Sequence, residues 1–118
     1  MKSKNLWQSF GFAGQGLKET VVSQRNMQIH LVATVLVLLA GFYFQLNWLE
    51  WALVLFAIGL VVVAETFNTA IEAVVDLVSP DLHPIAGRAK NVAAGAVLLA
   101  VITAVIQGII IFGRHLWR

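Results

Sequence analysis

The sequence predicts an all-α integral membrane protein, with three transmembrane helices and an amphipathic helix at the N-terminus. Three observations predict it. The 118 residues are 59% hydrophobic and 12% charged, whereas a typical soluble domain carries about 25% charge. Three apolar runs approach or exceed the length of about 20 residues that a span needs. Short polar segments rich in Pro, Asn and Trp separate those runs. A soluble core of this size cannot hide so much apolar surface, and the length allows a single membrane domain, 1–118. The net charge of +2 does not point to nucleic acid. There is no cysteine, which excludes disulfides and thiolate metal sites. About 30 residues precede the first apolar run, unlike the short basic leader of a cleaved signal, so that run is expected to be retained.

Residues 1–28 form the amphipathic element. Leu6, Trp7, Phe10, Leu17 and Val21 fall on one stripe at helical spacing, with Lys2, Lys4, Lys18, Glu19 and Arg25 around it. This pattern fits a helix lying in the membrane interface with its apolar side down. Gly11, Gly14 and Gly16 lower its propensity and are expected to break it into two pieces. The first span covers 29–46. A tight turn follows at Gln45, Leu46, Asn47 and Trp48, with Trp48, Glu50 and Trp51 placed as an interfacial belt. The second helix covers 49–77 and runs on beyond the bilayer. Pro80 and Pro84 end it, because proline cannot continue a helix and restricts the residue before it. The third helix covers 87–112, and residues 113–118 anchor its far end. Gly95 among Ala93, Ala94 and Ala96 offers a close-packing face to a neighbouring helix.

Three spans put the N-terminus and the 77–90 loop on one side. That side carries Lys2, Lys4, Lys18, Arg25, Arg88 and Lys90, against Arg114 and Arg118 on the other. The positive-inside rule therefore places the N-terminus and the loop in the cytoplasm, with the protein multi-pass in the plasma membrane.

The stretch from Glu65 to Asp76 carries the chemistry. At about 100° per residue, Glu65, Asn68, Thr69, Glu72 and Asp76 fall within an arc of about 100°. Apart from Thr66, the rest of that stretch is apolar. Ionisable groups at membrane depth are a functional hypothesis by default. The alternative is a helix emerging into water with a polar face, which suits Asp76 and fits Glu65 poorly. Carboxylates commonly hold Mg²⁺ together with substrate phosphates and water. Arg88 and Lys90 can take phosphate oxygens, one as a fork and one as a point charge. Glu65, deeper in the bilayer, can take a proton from an alcohol arriving from the lipid. The residues by themselves thus fit a magnesium and polyphosphate site beside a lipid-accessible base, and equally a channel or proton path.

The motif Glu65-x-x-Asn68-Thr69-Ala70-Ile71-Glu72-x-x-Val75-Asp76, followed by Gly87-Arg88-Ala89-Lys90 and a small-residue helix start, resembles the prokaryotic diacylglycerol kinase family. The similarity covers nearly the whole chain. The segments 24–30 and His83-Pro84 resemble its Gram-positive branch, mostly undecaprenol kinases. The resemblance implies a homotrimeric helical bundle that transfers the γ-phosphate of MgATP to a lipid alcohol, undecaprenol or diacylglycerol, at sites shared between subunits. It implies Glu65 as catalytic base and Glu72 as a magnesium ligand. Asn68 and Lys90 match polar groups of the active site, with Lys90 on the phosphates. Asp81, Leu82 and His83 align with the nucleotide-contacting loop.

Two positions depart from that pattern. Gln24 stands where the family usually has a glutamate that helps to hold Mg²⁺, and Asn91 where it usually has an aspartate beside the nucleotide. Each change removes a negative charge, and amides bind a hard cation more weakly than carboxylates. The chain is then either a variant with altered metal handling or a silenced form that binds nucleotide or lipid without turnover. A cation path through an oligomer is the third reading. Only the kinase predicts magnesium-dependent ATP consumption that requires a lipid alcohol.

Overall fold

The computed structural model describes Lys2 and residues 4–117. Arg118, counted above among the far-side cations, lies outside the described residues. Four helices follow in order: α1 (Leu6–Ser23), α2 (Arg25–Phe44), α3 (Trp48–Val78) and α4 (Pro84–Leu116). The last three are long and apolar enough to cross a membrane. Most of their large apolar side chains point outward, as expected where lipid takes the place of water.

α1 is one continuous helix through Gly11, Gly14 and Gly16, contrary to the expected break. Asn5 caps it, its side chain accepting from Gln8 N at 2.9 Å. The helix ends at Ser23 because Gln24 is extended, with φ −105° and ψ 114°. Arg25 to Gln28 therefore open α2 rather than extend the surface element. Gln28 secures the joint by donating Nε2 to the carbonyls of Val21 and Val22, at 3.0 and 3.1 Å.

α2 turns into α3 at Gln45, whose φ of 55° is left-handed. The backbone N–H of Gln45 and of Leu46 returns to the last carbonyls of α2. Asn47 and Glu50 then form a reciprocal capping box at the start of α3, with bonds of 2.9 and 3.0 Å. Trp48 stands outward, but Trp51 turns in. Its ring lies 4.9 Å from that of Phe42 and covers Gly41.

α3 and α4 pack along most of their lengths and form the spine of the bundle, with α2 leaning on α3 and α1 touching both α2 and α3. Small buried side chains at Ala57, Ala93 and Ala100 let the helices approach closely. Leu46, Val54 and Ile111 form the core at one end, with Phe44, Trp51 and Phe112 against them. At that end His115 reaches Glu50, with Nε2 at 2.9 and 3.1 Å from the two carboxylate oxygens, and both side chains are buried. Glu50 and His115 are thus part of the packed interior, while Arg114, Leu116 and Trp117 stay exposed. A Cβ added at Gly95 would meet nothing within 4 Å, so the face read there is open at Gly95, while Ala93 is buried.

α4 starts at Pro84, earlier than the 87 expected. Proline is well suited to the first turn of a helix, where its missing N–H is not needed. His83 caps that turn, its Nδ1 accepting from Ile85 N at 3.1 Å.

Candidate active site

α3 sets the depth of the site. Its 31 residues span about 46 Å, against about 30 Å of hydrocarbon. Counted from Trp48, Glu65 falls about 26 Å along, just inside the far edge of the hydrocarbon, and Glu72 and Asp76 lie beyond it.

Glu65 is 1% exposed, and neither of its carboxylate oxygens has a hydrogen-bond partner. Across the helix interface it faces His30 of α2, whose Nε2 is 3.6 Å from Oε2. That is longer than a hydrogen bond. Asn68 is also buried. It donates Nδ2 to Glu72 Oε1 at 3.0 Å, while its own Oδ1 has no partner. A single chain therefore does not leave Glu65 and Asn68 facing lipid. α2 and α4 already cover them within one chain.

Further along the same face, Asp76 pairs with Lys90 across the α3–α4 connection. Lys90 was expected on phosphates and Asp76 in solvent, whereas here each is the other's partner. The remaining predicted residues lie at the same end of the spine. Asp81 is exposed, and its main-chain oxygen accepts from Ser79 Oγ at 3.0 Å. Leu82 is fully exposed. His83 spends Nδ1 on the α4 cap, so in the neutral ring Nε2 carries the proton and is left to donate. Asn91 is exposed on the second turn of α4. Gln24 is half-buried in the α1–α2 link, and its side chain makes no cap bond to α2.

The donor set suits a small hard cation. Glu72 offers a half-buried carboxylate and Asn68 an unpartnered amide oxygen. Mg²⁺ takes few protein ligands and fills the rest of its shell with water and phosphate. Among the described residues no three Asp, Glu or His side chains converge on one point.

His30 was not read as a site residue from the sequence. The signal was present, since it is the one side chain in the first apolar run that can carry a charge near neutral pH, and such a group is itself a flag.

Comparison with known proteins gives the class first. Relatives along nearly the whole chain are lipid kinases, and this protein is a lipid kinase. The model of the family described as prokaryotic diacylglycerol kinase matches residues 11–112, and the chain belongs to that family. Undecaprenol kinase of Bacillus subtilis is 42% identical over 107 residues, covering 91% of this chain and 87% of that one. Diacylglycerol kinase of Synechocystis is 42% identical over 113 residues, covering 89% of this chain and 65% of its own. Diacylglycerol kinase of Escherichia coli is 31% identical over 105 residues, covering 89% and 86%.

Proposed function

We propose that this lipid kinase transfers the γ-phosphate of ATP to the terminal hydroxyl of undecaprenol, giving undecaprenyl phosphate. The observation that carries the chemistry is Glu65, a carboxylate sealed at membrane depth with both oxygens unpartnered. An ionised carboxylate buried in this way is costly unless something uses it. A base for a lipid hydroxyl has to sit there, because the alcohol comes from the bilayer and the phosphate from water. The lipid assignment follows the undecaprenol kinase relative, which is matched over most of both chains.

In this reading Glu65 takes the proton of the alcohol as its oxygen attacks phosphorus. Lys90, held by Asp76, lies on the phosphates. Asn68, Asp81, Leu82, His83 and Asn91 complete the nucleotide side. When bound, Mg²⁺ neutralises charge on the phosphate oxygens, held on the protein by Glu72 with Asn68 Oδ1 and with Gln24 beside it. In-line transfer needs mainly positioning and charge stabilisation, which these residues supply.

The functional unit is a homotrimer with its sites shared between neighbours. Supporting this, Asn68 and Thr103 line an open crevice of about 460 Å³ between α3 and α4. The rest of its lining is apolar, and the small side chains of Ala64, Ala93, Ala96 and Ala100 suit close approach of a helix from another subunit. α1 lies along the interface, and the N-terminus and the 77–90 loop face the cytoplasm. Sedimentation or light scattering in mild detergent that finds only monomer contradicts the shared site.

A second reading, phosphorylation of diacylglycerol, is favoured by the Synechocystis and Escherichia coli relatives. A third, binding without turnover, rests on Gln24 and Asn91. One transfer assay separates the three, using radiolabelled ATP with both lipids offered separately. Labelled undecaprenyl phosphate made faster than phosphatidic acid is the expected result. Faster labelling of diacylglycerol supports the second reading, and labelling of neither supports the third.

A further inference from the structure

A base that works inside a sealed site must also be emptied. After one transfer Glu65 holds the proton of the alcohol and is a neutral acid, 1% exposed. The hydroxyls nearby on α3 are already engaged. Thr66 Oγ1 donates to the carbonyl of Val62 and Thr69 Oγ1 to that of Glu65 itself, at 2.8 and 2.9 Å. Asn68 has turned its amide nitrogen to Glu72.

His30 is placed differently. Its Nε2 faces Glu65 Oε2 at 3.6 Å, and its side chain is 18% exposed. It also belongs to two separate crevices. One, of about 240 Å³, lies among α2, α3 and α4 and includes Ala57, Val61 and Gln107. The other, of about 270 Å³, opens between α2 and α4 beside Asn26 and Ala94. His30 thus touches the sealed carboxylate on one side and an opening to the outside on the other. The α4 side chains lining its crevices carry no charge. Histidine is also the side chain that most readily both takes and gives a proton near neutral pH.

We propose that His30 is the proton outlet of Glu65, the group that returns the base to its carboxylate form between turnovers. This rests on the reading of Glu65 as the base. In the transfer step the alcohol O–H bond breaks and its proton goes to Glu65. The lipid oxygen bonds to the γ-phosphorus, and the bond from that phosphorus to the β-bridging oxygen breaks. The proton then passes from Glu65 to His30 Nε2, leaving a carboxylate beside an imidazolium, and the imidazolium releases it to water at the Asn26 side. The starting imidazole is the tautomer with its proton on Nδ1. The 3.6 Å separation closes when the site is loaded, as catalytic hydrogen bonds commonly do. His30 acts through Glu65 and touches neither substrate.

The test compares His30→Gln and His30→Ala with their parent, using MgATP and whichever lipid is turned over faster. The parent is the present chain or Gln24→Glu/Asn91→Asp, whichever is more active. Expected is a fall in kcat of at least about tenfold in both variants, with KM for MgATP within about twofold of the parent. Added imidazole should recover turnover in His30→Ala, where the ring has left a space, and not in His30→Gln. A structural defect would not respond to imidazole. Parental kcat in His30→Ala, or a loss that imidazole leaves untouched, overturns the proposal. Glu65→Gln in the same assay separates the two ideas. If it keeps parental kcat, the base reading fails. If it is dead while His30→Ala is not, only the proton outlet fails.

Discussion

Lys90 of α4 is held by Asp76 of α3, joining the two long helices just beyond the connection that carries Pro80 and Pro84. The pair fixes the position of a cation beside the polar face that runs from Glu65 through Asn68 and Glu72. Both side chains are well exposed, so the pair contributes only about 0–1 kcal/mol to stability. Its value lies in placement. Asp76→Asn is expected to lower kcat/KM for MgATP by about tenfold, or about 1.4 kcal/mol of transition-state stabilisation. The melting temperature should stay close to that of the parent. Steady-state kinetics and a thermal melt on the same preparation check both halves.

Glu72 tests the metal side. Glu72→Gln keeps an oxygen to accept from Asn68 Nδ2, so the local fold is preserved while the charge is removed. MgATP affinity should fall at least about tenfold, because a neutral amide is a weak ligand for a hard divalent cation. Titration calorimetry with MgATP reads this directly, and equal affinities would take Glu72 out of the site.

Gln24 and Asn91 are not equivalent. An aspartate at 91 would sit next to Lys90 and could steady it, but Asp76 already does that. Gln24→Glu is therefore expected to supply most of any gain, about tenfold or more in turnover, and Asn91→Asp little. The gain carries an opposing effect, since another carboxylate near Glu72 repels it when no metal is bound. Both single variants and the double, assayed at saturating Mg²⁺, decide between them. A gain confined to Asn91→Asp would contradict the role given to Asp76.

Gly41 controls the α2–α3 crossing. A Cβ there would lie 2.9 Å from Trp51 Cζ2 and 3.1 Å from Cζ3. Gly41→Ala should cost about 1–3 kcal/mol through overpacking. Gly95→Ala, which meets nothing within 4 Å in its own chain, should be harmless to a monomer. If it also weakens the assembly, the open Gly95 face is used between subunits. Thermal denaturation and mass measurement in mild detergent report the two effects separately.

The spans and the acidic face were legible in the sequence because each depends on local periodicity and length. Glu65, Asn68 and Glu72 are three and four residues apart, and any helix puts them on one face. The partners of those residues were not legible. His30 meets Glu65, Asp76 meets Lys90 and Glu50 meets His115 only after α2, α3 and α4 have packed in a particular register. Glu50 and His115 are 65 positions apart, and each by itself looks like an ordinary interfacial residue. The glycines of α1 misled for a related reason. Propensity argues for a break, while the N-cap at Asn5 and contacts with α2 and α3 keep the helix whole.

As the base for a lipid hydroxyl, Glu65 acts on the alcohol and holds no nucleotide. The most direct test of that role is Glu65→Gln, with MgATP affinity measured by calorimetry and phosphate transfer measured on undecaprenol, beside the parent. Expected are a dissociation constant for MgATP within about twofold of the parent and a loss of transfer of about 10²-fold or more. A Glu65→Gln protein that phosphorylates undecaprenol at the parental rate would contradict it.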